Sequence, residues 1–140
     1  MQKFNFPFVA VQKKQNVGSF PGIKFRKQQL RGQTISVDMV AQLIQDKASV
    51  TRGDVYAVLA TLADVVKENV AIGNSISLGF LGKLTPYLSS KNKDSLEEAI
   101  KQNPEDKIQI RFKQSPELKE FFKTRVAIVK KDLEISGLQP

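Results

Sequence analysis

From Thr51 to Ala71 the chain carries apolar residues around most of a helical wheel. Val55, Val58, Leu59, Leu62, Val65 and Val66 make one broad stripe, with Ala57, Ala60 and Ala63 beside it. Thr51-Arg-Gly-Asp54 is a capping pattern with Asp in place of the usual Glu or Gln, so the helix starts there. Gly73 offers a left-handed stop. The result is a helix roughly 30 Å long. A helix this apolar must be covered on most of its circumference. A chain of 140 residues builds one core and not comfortably two. A second copy related by a two-fold axis supplies the missing cover, so the pattern predicts a homodimer.

The elements around this helix follow from local chemistry. Ser36 is placed to cap a shorter helix to about Lys47, with Val37, Val40, Ala41 and Ile44 on one face. Residues 3 to 11 alternate, with Phe4, Phe6, Phe8 and Ala10 on one side, which predicts a strand. Pro7 cannot donate a ladder hydrogen bond, so the expectation is an edge strand. NVGSFPG, 16 to 22, has loop chemistry, and IKFRK, 23 to 27, suits a short strand. Further strands are expected at 75 to 78 and 83 to 88. The polar stretch from 89 to 107 then makes a long excursion, with a helical turn around Leu96 to Ile100. KIQIRFK, 107 to 113, alternates cleanly. Ser115-Pro116-Glu117 starts a last helix whose apolar side holds Leu118, Phe121 and Phe122. After Arg125, VAIVKKDLEI suits helix continuation and strand alike, and SGLQP reads as a loose end.

Composition removes several function classes. The chain has no cysteine and no histidine. Disulfides, thiolate chemistry, the usual zinc sites and Ser-His-Asp triads lose their parts. The carboxylates do not converge into an acid–base pair, so no enzyme and no cofactor is expected. The N-terminal stretch lacks a signal peptide's long apolar run and no segment is long enough to span a bilayer, so the expectation is a cytoplasmic protein with no membrane partner.

The net charge of +8 points to a polyanion, and it is unevenly spread. Residues 1 to 33 hold seven cations and no acid, whereas 34 to 72 hold three cations and five acids. On KIQIRFK, Lys107, Arg111 and Lys113 share the face opposite Ile108, Ile110 and Phe112. Strand residues two apart sit about 6.5 to 7 Å from each other, a spacing that can follow a phosphate backbone. A solvated outer sheet face reads equally well from this strand alone. GFLGK, 79 to 83, fails as a phosphate loop because only two residues separate Gly79 from Gly82 and Leu84 follows the lysine. A tight turn between antiparallel strands explains the glycines better. Pro104 is by default a turn residue, and prolines at such positions also wedge between base pairs.

In this order, the helices, the Gly-bracketed hairpin, the polar excursion, the cationic strand and the Pro-started helix resemble the HU and integration-host-factor family of histone-like bacterial DNA-binding proteins. VTRGDVYAVLATLADVVKENVAIGNSISLGFLGKLTP is similar to that family's second helix and first hairpin, and ELKEFFK to its final helix. GFLGK stands where the family has Gly-Phe-Gly, with one residue more. The basic N-terminal segment is similar to that of a variant branch with such an extension. The resemblance implies an α+β fold with two N-terminal helices, an antiparallel sheet with an extended β-arm, a C-terminal helix and an intertwined dimer. It implies a basic extension over 1 to 35, an HU-like DNA-binding domain over 36 to 126 and a tail over 127 to 140.

It further implies a nucleoid-associated protein that binds double-stranded DNA with weak sequence specificity and takes no small-molecule substrate. The expected DNA-binding residues are Lys83, Lys91, Lys93, Lys101, Lys107, Arg111 and Lys113, joined by Lys24, Arg26 and Lys27. Pro104 is the candidate intercalating residue. The family's Arg-Asn-Pro-x-Thr-Gly arm tip is reduced here to Asn103-Pro104. Five acids (Asp94, Glu97, Glu98, Glu105 and Asp106) surround Lys101 in that stretch. They motivate the alternative of an HU-fold interaction dimer that has lost DNA binding.

Overall fold

A computed structural model describes residues 4–17 and 20–131, with side chains at 13–17 and 20–23 left aside. In chain order the elements are β1 (Phe4–Val17), β2 (Phe20–Gln29), α1 (Val37–Lys47), α2 (Arg52–Ala71), β3 (Ile76–Ser77), β4 (Gly82–Ser89), α3 (Leu96–Ile100), β5 (Lys107–Gln114), α4 (Pro116–Arg125) and β6 (Val126–Lys130). The described residues thus form a mixed α+β protein with four helices and two three-stranded sheets, ordered β2–β1–β6 and β3–β4–β5. The chain divides into two compact units, one of residues 35–120 and one of residues 1–34 with 121–140.

In the 35–120 unit the helix ends form as their side chains dictate. Ser36 Oγ accepts from the Met39 N–H at 3.2 Å and caps α1. At α2 the Thr51 hydroxyl accepts from the Asp54 N–H while the Asp54 carboxylate accepts from the Thr51 N–H, a complete capping box. The Thr51 N–H and the Thr51 hydroxyl both donate to the Asp54 carboxylate and hold it below its usual range. The Gln45 side-chain oxygen accepts from the Arg52 N–H at 3.0 Å, tying α1 to the start of α2. Gly73 stops α2 at φ +88°, its N–H donating to the Val70 carbonyl.

The interior is thin. Ala41, Val55 and Val70 are the buried apolar residues, and no large side chain is fully enclosed among those described. On α2, Val58 is 65% exposed, and Leu59 and Val65 are exposed as well. The expected all-round apolar helix is therefore present, with its stripe largely uncovered in the single chain.

The hairpin turn adds a constraint absent from the sequence reading. Gly79 has φ +60° and Gly82 φ +149°, both positive as a tight reversal requires. The Leu78 N–H donates to the Gly82 carbonyl at 2.7 Å. At Gly82 a Cβ would lie 2.2 Å from the Lys113 carbonyl oxygen and 2.9 Å from the Phe112 ring, so β5 crosses where only glycine fits. Ser115 then joins this turn to the last helix. Its N–H donates to the Leu81 carbonyl, its hydroxyl donates to the Phe80 carbonyl, and the same oxygen accepts from the Leu118 N–H to cap α4.

The other unit corrects two expectations. β1 is the middle strand of its sheet, not an edge. It pairs antiparallel with β2 from Phe8 to Val17 and parallel with β6 from Phe4 to Phe8. Pro7 is tolerated because of where it points. Its carbonyl accepts from Leu30 N–H, on the β2 side and beyond the end of that ladder. In extended backbone the N–H shares that side, so the proline forfeits no bond to β6. The loop expected over 16 to 22 is strand at Asn16, Val17 and Phe20–Gly22, while residues 18 and 19 lie outside the described set. Cross-strand pairing overrides the turn chemistry there. After Arg125 the chain is strand, the β-branched run VAIVK pairing with β1. The expected loose end at 136 to 140 lies outside the described residues.

Candidate nucleic-acid interface

The register of β4 and β5 decides which side chains meet. Lys83 lies opposite Lys113, Thr85 opposite Arg111, Tyr87 opposite Gln109 and Ser89 opposite Lys107. Directly paired residues point to the same face, so these eight form one side of the ribbon. Leu84, Pro86, Leu88, Ile108, Ile110 and Phe112 form the other. One face is thus cationic and hydroxylated, the other apolar. Lys83, Lys107, Arg111 and Lys113 are all exposed.

Two features of the cationic face make it chemically suited to an anion. Lys83 and Lys113 stand directly across from each other, a like-charge pair that costs a sheet roughly 0.2 to 1 kcal/mol. The Arg111 guanidinium lies 3.9 Å from the centre of the Tyr87 ring. A guanidinium stacked on a ring keeps N–H groups at its rim with which to bond an anion. Tyr87, Thr85 and Ser89 escaped the sequence reading. Their face is defined only by pairing with β5, and the periodicity of β4 is masked by Pro86.

The remaining expected residues fall in several places. Lys91 is exposed beyond β4. Lys107, Lys91, Ser89, Ser90, Pro104, Glu105 and Gln109 line an open cleft of about 600 Å³ at the end of the ribbon. Pro104 sits inside the turn Asn103–Asp106, closed by the Asp106 N–H to the Asn103 carbonyl at 3.0 Å, and its ring is exposed. Lys101 caps the end of α3 and is exposed. Lys93 differs: it is half-buried and ion-paired with Glu105, whose carboxyl the lysine holds below its usual range. Its charge is committed within the protein. Lys24, Arg26 and Lys27 are exposed on β2, in the other unit.

Among the described residues no three His, Cys, Asp or Glu side chains gather into a metal site. No helix among them is long and apolar enough to cross a membrane.

A family model for an HU domain fused to a winged helix-turn-helix, immunoglobulin or glycine-rich motif matches residues 6–130. The chain belongs to this HU-HIG family. The HU-HIG match takes in most of β1, all of β2 and β6, the four helices and the ribbon, so the N-terminal strands are part of what the family shares. No curated protein matches. The HU-HIG chain is similar in fold to a candidate bacterial DNA-binding protein from Bacteroides vulgatus ATCC 8482, with a TM-score of 0.64 and 16% identity. The similarity covers 94% of this chain and 51% of that one, so the chain spans about half the length of that neighbour.

Proposed function

We propose that this HU-HIG chain binds double-stranded DNA as a non-enzymatic, nucleoid-associated architectural protein, and that it acts as a homodimer. The observation that carries the reading is the cationic face of the β4–β5 ribbon, with Lys83, Lys107, Arg111 and Lys113 aligned on one side. Family membership and a structural neighbour described as a candidate DNA-binding protein support it. Lysine and arginine tips in such a row meet phosphates and not base edges, so sequence specificity is weak. Lys91 extends the row beside Lys107, Lys101 adds charge at the end of α3, and Lys24, Arg26 and Lys27 add charge from the extension. Lys93 contributes least, because Glu105 already neutralises it. Pro104 is a candidate wedge rather than a source of affinity. Residues 36 to 126 carry the role, with 1 to 35 as a basic extension and 127 to 140 as a tail whose first residues pair with β1.

The dimer rests on the uncovered stripe of α2 and the apolar face of the ribbon. Val58, Leu59, Val65, Ile108 and Ile110 are each exposed in the single chain. Covering each fully is worth roughly 1.5 to 3 kcal/mol. A two-fold copy brings stripe to stripe.

The acid-rich tip favours a second reading, an HU-fold interaction dimer without DNA. Fluorescence anisotropy with a short labelled duplex separates the two. The proposed function predicts binding that weakens steeply with salt and is lost when Arg111 and Lys113 are changed to Glu. Unchanged binding in that variant leaves the ribbon a solvated face, and no binding at low salt leaves the interaction dimer.

A further inference from the structure

We infer that one face of the β2–β1–β6 sheet is a second nucleic-acid site, which takes single-stranded polynucleotide by stacking its bases on phenylalanine rings. This goes beyond duplex binding by the ribbon and does not depend on it.

The register puts the rings in a row. Phe4, Phe6 and Phe8 alternate along β1 and so share a face, where β6 sets Val126, Ile128 and Lys130 beside them. Further along the same face, Lys27 lies beside Ala10 and Phe25 beside Gln12. From Phe4 to the Gln12–Phe25 pair the track runs about 26 Å, at roughly 3.3 Å per residue. Phe6 is 42% exposed and Phe25 73% exposed. Leaving such rings in water forgoes roughly 1.5 to 3 kcal/mol apiece, which a merely structural sheet face would recover by burial.

The rings are also held and charged. Phe4 packs against Phe121 at 5.7 Å between centroids, and Phe121 against Phe122 edge-on at the same distance. The Lys27 ammonium sits 4.9 Å from the centre of the Phe8 ring. A row of rings with Lys27 and Lys130 beside Phe8 suits the bases and phosphates of a single strand. Duplex DNA has its base faces already stacked and offers these rings nothing. Charge selects a polyanion over a protein, since from Phe4 to the Gln12–Phe25 pair the charged residues on this face are Lys27 and Lys130, with no carboxylate beside them.

The test uses the full chain with fluorescein-labelled oligothymidine and oligouridine of about twelve nucleotides, a length within the usual span of such sites. Phe25→Ala and Phe6→Ala each weaken binding about fivefold or more by anisotropy, as expected for one lost stacking partner. Phe25→Tyr retains it, and duplex affinity stays at the parent level in all three. Binding of either oligomer with this pattern supports the site and identifies which sugar it accepts. Full affinity in the Phe6→Ala/Phe25→Ala double variant overturns it, as does loss only on Arg111→Glu/Lys113→Glu. Circular dichroism and sedimentation accompany each variant. A change in oligomeric state without a change in oligonucleotide affinity overturns it too, marking the face as an interface between copies.

Discussion

Gly79 and Gly82 stand three residues apart in one turn, yet alanine at the two positions has different consequences. At Gly79, φ is +60° and a Cβ meets nothing within 4 Å. Alanine there suffers only the left-handed conformation, roughly 1 to 2 kcal/mol. At Gly82, φ is +149° and the Cβ would stand 2.2 Å from the Lys113 carbonyl oxygen, a backbone atom that cannot swing away. The strain of a region nearly confined to glycine is about 1 to 3 kcal/mol. Prising β5 and the Phe112 ring from β4 adds an overpacking cost of about 1 to 3 kcal/mol. Gly82→Ala is therefore expected to cost about 3 kcal/mol or more. For a chain of this size that lowers Tm by about 10 °C, against about 5 °C for Gly79→Ala. Thermal denaturation followed by circular dichroism, at one protein concentration, measures both. Asn tolerates the left-handed region, so Gly79→Asn is expected to recover part of its loss and Gly82→Asn none. Equal losses at the two sites, or recovery by Asn at Gly82, would refute the close approach of β5.

Three further outcomes follow from contacts elsewhere. The Tyr56 hydroxyl donates to Asp38, and this bond raises the phenol above its ordinary value of 10.0. A group raised on folding stabilises below its unfolded pKa and loses that contribution as pH rises through the folded one. Ultraviolet titration should show Tyr56 ionising later than an ordinary tyrosine, and Tyr56→Phe should flatten stability above about pH 10. Val58→Glu alters a side chain that is mostly exposed in the single chain, so it should leave the helix content intact while sedimentation shifts from dimer to monomer. Glu105→Gln removes an acid beside the cationic cleft and frees Lys93, so duplex affinity should rise and its salt dependence steepen.

What was legible in the sequence was local. The Thr51–Asp54 box, the Ser36 cap, the Gly73 stop and the Ser115-Pro116 start are each complete within a few residues. The α2 stripe was legible because its 3.6-residue period stays apolar for about three turns, from Val55 to Val66. Contacts between distant residues were not. β6 joins β1 across more than a hundred residues, and nothing in Phe4–Phe8 names Val126–Lys130 as its neighbour. The extra constraint on Gly82 comes from β5, some thirty residues on. The cations of β5 were visible through strict alternation, but Tyr87 beneath Arg111 needed the register. Lys93, by contrast, looked like the other arm lysines until folding brought Glu105 to it.

The central claim is that phosphates meet the row Lys83, Lys107, Arg111 and Lys113. Its most direct test is the salt dependence of duplex affinity, compared between the parent protein and Arg111→Ala/Lys113→Ala. Each phosphate neutralised contributes about 0.9 to the slope of log affinity against log salt, so eight cations in a dimer give a slope near −7 at most. Removing two per protomer should flatten it by about 3 to 4. An unaltered slope, with the variant still folded and dimeric, would contradict the claim.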